Sequence, residues 1–188
     1  MCIRDSILFG RDFDGKTKDE VVDDIHSYQN EADIPLLIGV DEEGGTVVRV
    51  SSNPNLRETA FLSPKDTYAD GGWDAVKRDA EEKADLLLSL GINVNLAPVC
   101  DMTSDEYGFM YDRSFSVDVD MENRYVRTVV ETSKSKKLGT VLKHFPGYGN
   151  NSDTHTMTVT IRNLKIQILN RFIRELSPVP TVFLFHTT

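Results

Sequence analysis

The chain has 188 residues, 39% of them hydrophobic and 27% charged, and its 30 Asp+Glu against 21 Lys+Arg give a formal net charge of −9. At a working size of about 150 residues per domain this is one domain with enough chain to bury a core, and it falls short of the about 250 residues of a complete (β/α)8 barrel. The acidic balance, with basic residues scattered among more numerous acids, argues against a nucleic-acid or other polyanionic partner, which needs clustered Lys and Arg.

Cys2 and Cys100 lie far apart with no CxxC or metal-ligand spacing around either, so both read as free thiols. No run approaches the roughly 18 apolar residues of a membrane-spanning helix. The start, MCIRDSILFG, lacks the basic and apolar regions of a signal peptide. That pattern points to the cytoplasm, but the chain opens abruptly in an apolar run, which leaves a natural start upstream, and a secreted or cell-surface location, open. Oligomeric state leaves no mark in the sequence.

In chain order, short apolar runs at 7–10, 36–40, 92–96, 140–144 and 181–185 read as strands covered on both faces. Longer amphipathic segments lie between them. Residues 16–30 carry Val21, Val22, Ile25 and Tyr28 on one face. Residues 73–90 carry Val76, Ala80, Ala84, Leu87 and Leu88, with Gly91 as a C-cap. Residues 121–138 repeat the arrangement before Gly139, and 163–176 form a last helix stopped by Pro178. The stretch 51–69, with Pro54 and Pro64, reads as a long loop. Alternation of this kind means a parallel sheet, either doubly wound or wound as a barrel, and both place function at the carboxyl ends of the strands.

The residues at those ends are therefore the ones to weigh. Asp41 follows the second strand, and Gly44-Gly45 lets the backbone turn tightly and approach a ligand. The carboxylate either grips a sugar or caps the next turn. Arg49 either meets the same ligand or pairs with Glu42 or Glu43. Arg113, in Tyr111-Asp112-Arg113-Ser114-Phe115, either forks onto ligand oxygens or pairs with Asp112 or Asp118. Lys143 and His144 end the fourth strand, where burial without partners is costly, so they face a cleft. Asp153-Thr154-His155 follows; an Asp two residues before a His can fix its tautomer for acid/base work. A metal site from His144, Asp153 and His155 is a rival reading. A phosphate binder using Gly147-Tyr148-Gly149 is another, although the spacing matches neither GxGxxG nor GxxxxGK[ST].

Together these segments resemble the N-terminal domain of glycoside hydrolase family 3, in its β-N-acetylhexosaminidase branch. The resemblance rests on five blocks in the family's order: Ile7 to Arg11; Gly39-Val40-Asp41-Glu42-Glu43-Gly44-Gly45 with Val48-Arg49; Gly91 to Asp101; Asp112-Arg113-Ser114-Phe115; and Lys143 to Gly149 with Asp153-Thr154-His155. It covers residues 7–156, and 157–188 diverge. It implies an α/β fold, a parallel (β/α)8 TIM-type barrel that is incomplete here, with the first five or six strands present in one partial domain. It also implies retaining hydrolysis of terminal β-linked N-acetylglucosamine, or of a glucoside, without cofactor or metal. Asp41, Arg49, Arg113, Lys143 and His144 would hold the sugar by charge-assisted bonds. Asp153 and His155 would form an Asp-His dyad with the histidine as acid/base, in place of the second carboxylate of the two-carboxylate scheme. Tyr148 stands where many relatives have His. The family's nucleophilic aspartate belongs to a later strand, so no residue of this chain takes that role. A non-catalytic carbohydrate-binding fragment is the alternative from another class.

Overall fold

The computed structural model describes residues 5–144, 147 and 148, together with the backbone of 145 and of 182–185. Five strands form one sheet: β1 (Asp5–Leu8), β2 (Leu37–Val40), β3 (Val94–Asn95), β4 (Gly139–Phe145) and β5 (Val182–Phe185). All neighbours are parallel and the spatial order is the chain order, β1-β2-β3-β4-β5. A doubly wound sheet reverses its order at a switch point. No reversal occurs across these five strands, so the winding is of the barrel kind. The helix expected at 163–176 lies outside the described residues.

Three helices connect the first four strands. In α1 (Lys18–Glu31) the Thr17 Oγ1 accepts from the Glu20 backbone N–H and the Glu20 carboxylate accepts from that of Thr17, so each residue satisfies an orphan donor of the first turn. Val21 and Ile25 form its buried stripe.

The second helix corrects the expected long loop at 51–69. Helix α2 runs Pro64–Ser89, with Ser63 as N-cap and Pro64 in its first turn, where a missing N–H costs nothing. Gly71 and Gly72 leave helical geometry, Gly72 at φ +61°. This break separates the first turns from the amphipathic stretch that the residue pattern picks up at Trp73. At the far end Gly91 takes φ +90°, and a Cβ there would stand 2.9 Å from the Ile25 Cγ2 of α1.

Helix α3 (Val119–Ser135) stops sooner than 138 because Lys137 enters the left-handed region at φ 70°. The Leu138 N–H then returns to the Ser133 carbonyl at 3.0 Å. Strand β3 is shorter than the apolar run at 92–96, since side chains take over part of the ladder. Asn93 accepts from the Ile38 N–H (2.7 Å) and donates to the Leu36 carbonyl (3.0 Å). Asn95 does the same to the N–H and carbonyl of Glu42 at 3.0 and 3.1 Å.

One core packs Leu8, Ile38 and Val40 of the sheet against Val21 and Ile25 of α1 and Leu87 of α2. Each such side chain contributes about 1.5–3 kcal/mol when fully buried. Ile7 and Leu37, on the opposite face of the first two strands, remain 44% and 57% exposed. A second cluster centres on Phe115, stacked on Tyr125 of α3 at 4.6 Å and edge-on to Tyr68 of α2 at 5.5 Å. Phe115 thereby pins the loop after β3 to two helices, and that loop carries Arg113. No helix among the described residues is long and apolar enough to cross a membrane.

Candidate active site

The carboxyl ends of β2, β3 and β4 bring charged side chains into one buried cluster. Asp41 is the first residue after β2, and Lys143 Nζ of β4 stands 2.5 Å from its Oδ1 and 2.5 Å from Glu43 Oε1. Arg113 forks onto Glu43, with Nε donating to Oε2 at 2.9 Å and Nη2 to Oε1 at 2.8 Å. Arg113 Nη2 also lies 3.2 Å from His144 Nε2. Asp101 Oδ2 accepts from the His144 Nδ1–H at 2.7 Å and from its backbone N–H at 3.0 Å, while Oδ1 accepts from the Tyr148 N–H at 2.6 Å.

These contacts fix the imidazole. A carboxylate can only accept and a guanidinium can only donate, so the proton sits on Nδ1 and the Nε2 lone pair receives Arg113. Tyr148 closes over the ring edge-on, with centroids 4.7 Å apart.

Tandem acids after β2 divide their work because successive side chains of an extended segment point opposite ways. Glu42 turns back into its own loop, accepting from the backbone N–H groups of Arg49 (2.9 Å), Val50 (2.7 Å) and Ser51 (3.3 Å) and from the Ser51 hydroxyl. Glu43 turns into the cluster. The turn between them and Arg49 requires glycine: Gly44 has φ +102°, and a Cβ there would collide with the Leu62 carbonyl. Lys83 of α2 supports the same turn, donating to the Glu43 carbonyl at 3.0 Å and pairing with Asp79 at 2.6 Å.

Burial pushes the Glu43 carboxyl up, but the Arg113 hydrogen bonds and the Lys143 charge outweigh it and leave the group below the usual carboxylate range. Burial likewise works against the Arg113 charge, and the bond to Glu43 reverses that, raising its proton affinity. Three carboxylates, two fixed cations and an imidazole held this far from water are expensive to keep, which is the mark of a functional site more than of a stabilising one. With the further contact of Arg113 Nη1 to the Met110 sulfur at 3.4 Å, the bonds found among the described residues take up two of the three N–H groups of Lys143 and four of the five of Arg113, beside carboxylate oxygens that accept. Such alternating donors and acceptors suit the hydroxyls of a sugar.

The structure thus joins Asp41, Arg113, Lys143 and His144. It corrects the local pairing considered for Arg113: its partner is Glu43, not Asp112 or Asp118. Arg49 is half-buried, and its Nε has no hydrogen-bond partner among the described residues. Its link to Glu42 runs through the backbone N–H. Asp153 and His155 lie outside the described residues. Both ring nitrogens of His144 are engaged by Asp101 and Arg113, which leaves no lone pair for the metal site considered above. Among the described residues no three His, Cys, Asp or Glu side chains gather as a metal would need.

Two members of the cluster escaped the sequence reading. Glu43 was in view only as a surface partner for Arg49. Asp101 stands beyond the Ala97-Pro98 end of the third apolar run, inside the third of the five blocks, with no role assigned to it. The signal available for both was position, an acid directly beyond a strand.

The model of the glycosyl hydrolase family 3 N terminal domain matches residues 5–174. Beta-hexosaminidase A of Pseudoalteromonas piscicida is 33% identical over 130 residues, 68% of this chain and 22% of the relative. Beta-hexosaminidase of Haemophilus influenzae is 30% identical over 161 residues, 81% of this chain and 43% of the relative. This chain therefore spans less than half the length of either. The solved structure of a glycoside hydrolase family 3 beta-N-acetylglucosaminidase from Paenibacillus superposes with a TM-score of 0.80 at 25% identity, covering 97% of this chain and 36% of that one. With the matched family model spanning most of its length, this chain belongs to the glycosyl hydrolase family 3 N-terminal domain family.

Proposed function

We propose that this chain supplies the terminal-sugar pocket of a retaining β-N-acetylhexosaminidase, within an incomplete (β/α)8 barrel. The observation that carries the reading is the continuous network Asp41, Lys143, Glu43, Arg113, His144 and Asp101, with spare N–H groups beside carboxylate oxygens at the strand ends. In this reading Asp41, Arg113, Lys143 and His144 grip ring hydroxyls, Arg49 borders the pocket, and Glu43 sets the orientation of the two cations. Asp153 orients His155, which protonates the leaving glycosyl oxygen and later takes the proton of the attacking water. Attack on the anomeric carbon is assigned to no residue of this chain. The names of the similar proteins favour N-acetylglucosamine over glucose at the terminal position.

Calorimetric titration of the 188-residue polypeptide tests the pocket. N-acetylglucosamine binds more tightly than glucose, and Arg113→Ala removes binding of both. An Arg113→Ala protein that binds the sugar as well as the wild type refutes the assignment. The dyad is tested separately, by hydrolysis of a chromogenic β-N-acetylglucosaminide in any polypeptide that carries this segment and turns over. His155→Ala removes that turnover, and unchanged rates remove His155 from the reaction.

A further inference from the structure

The loop after β3 carries an aromatic ring that folding leaves in water beside the buried cluster. Phe109 is 43% exposed, whereas Arg113 is 8% and Lys143 is 3% exposed. Its ring is nonetheless held from two sides. The Arg113 guanidinium carbon stands over it, 5.1 Å from the centroid, and the Tyr148 ring lies against it at 5.6 Å with the planes tilted by 54°. Tyr148 in turn meets His144. The next residue, Met110, is buried and its sulfur contacts Arg113 Nη1 at 3.4 Å, which fixes the backbone beneath Phe109.

What sets Phe109 apart from the other exposed apolar side chains is that a residue of the polar cluster, Arg113, stands against its ring. Phe109 is exposed where the polar cluster beside it is nearly buried. On the sugar-pocket reading, the end of a terminal sugar that the cluster does not grip, with its glycosidic oxygen and the next ring, lies on this exposed side. A pyranose presents a face of C–H bonds whose hydrogens carry partial positive charge, and this face matches the negative face of an aromatic ring.

We infer that Phe109 is the platform for the second pyranose, the one on the leaving-group side, so that this chain recognises a β-linked disaccharide and not its terminal sugar alone. The inference rests on the sugar-pocket reading of the cluster. Phe9 offers a similar half-exposed ring, 46% exposed, but the cation over it at 5.5 Å is the exposed Arg11 and no cluster residue. Tyr107, 99% exposed, serves as a surface control on the same loop.

The test is calorimetric titration of the 188-residue polypeptide with N-acetylglucosamine and with its sulfur-linked β-1,4 disaccharide, which cannot be hydrolysed. The wild type binds the disaccharide about tenfold more tightly than the monosaccharide, the ratio that one well-formed aromatic contact supplies. Phe109→Ala lowers disaccharide affinity to that of the monosaccharide and leaves monosaccharide affinity unchanged, while Phe109→Trp and Tyr107→Ala keep the advantage. The inference is overturned if Phe109→Ala retains the advantage, if Phe9→Ala removes it instead, or if Phe109→Ala loses both ligands together. It is also overturned if the wild type binds the two equally. Binding of neither sugar by the wild type defeats the pocket reading itself, an outcome distinct from the others because monosaccharide binding is then missing.

Discussion

Asp101 holds His144 by two atoms at once, its Oδ2 taking both the ring Nδ1–H at 2.7 Å and the backbone N–H at 3.0 Å. The other oxygen holds the Tyr148 backbone at 2.6 Å. One carboxylate from the end of β3 thus sets the tautomer of a histidine at the end of β4 and the position of the aromatic ring that covers it.

Asp101→Asn replaces one acceptor oxygen by a donor amide, so either the Tyr148 N–H or both N–H groups of His144 lose their acceptor, and the hold on His144 or on the ring that covers it is broken. The expected cost is about 1–3 kcal/mol of stability, together with at least a tenfold loss in N-acetylglucosamine affinity. Chemical denaturation and titration of the same preparation measure both. A variant with unchanged sugar affinity shows that the hold of Asp101 on His144 and Tyr148 is irrelevant to binding.

Lys143 is the shared counter-charge of Asp41 and Glu43. Lys143→Met leaves two carboxylates facing each other without it, and the expected destabilisation is about 3–5 kcal/mol, the usual consequence of stranding buried charge. Adding Glu43→Gln to Lys143→Met recovers part of that loss, because one of the stranded charges is gone. Additive losses in the double-mutant cycle contradict the pairing.

Glu122, in the first turn of α3, accepts from the Ser116 N–H at 3.0 Å through Oε2, and its Oε1 has no partner among the described residues. Burial first, and then the charge of Asp101, push its carboxyl up to about 8. The folded state therefore holds this proton where the unfolded state, with an ordinary carboxyl near 4.5, has released it. Stability falls as pH rises between those values and levels off above about 8. Glu122→Gln keeps the neutral form, so its stability relative to the wild type grows across the same window, reaching on the order of a few kcal/mol. Thermal unfolding at pH 5, 6, 7 and 8 follows it, and parallel curves for the two proteins rule it out.

Gly91 ends α2 in the left-handed region, with Ile25 of α1 directly against it. Gly91→Ala suffers both the conformational penalty and the contact, and an expected loss of roughly 1–3 kcal/mol appears as a lowered melting temperature. Ile25→Ala, which removes the Cγ2 that the new Cβ would meet, lowers stability in wild type but costs less in the Gly91→Ala background.

The residue pattern reads the strands and helices well where periodicity is local. The apolar runs ending at Val40 and His144 and the stripe Val76, Ala80, Ala84 and Leu87 fall where the strands and α2 stand. The reading fails where a cap or an asparagine replaces a periodic signal. Ser63-Pro64 starts α2 ahead of its amphipathic stretch, and Asn93 and Asn95 shorten β3 by bonding across it. For the site, Asp41, Lys143 and His144 stand out as polar residues at strand ends and Arg113 in the loop that follows β3, whereas Glu43 and Asp101 share that rim with nothing local to set them apart from neighbouring acids.

What the sequence by itself determined is the alternation of elements, the rim on which function sits and the family to which the five blocks point. The first two follow from spacing along the chain, which backbone geometry converts directly into strand, helix and loop; the family follows from the resemblance of the blocks themselves. What only the tertiary structure decided is pairing: Glu43 with Arg113 across 70 positions, Lys143 with Asp41 across 102, and Asp101 with His144 across 43. Charges of opposite sign are common among neighbours such as Asp112 and Arg113, and local sequence cannot rank them. The parallel sheet ranks them, by placing the ends of β2, β3 and β4 side by side while Phe115 anchors the loop that carries the arginine.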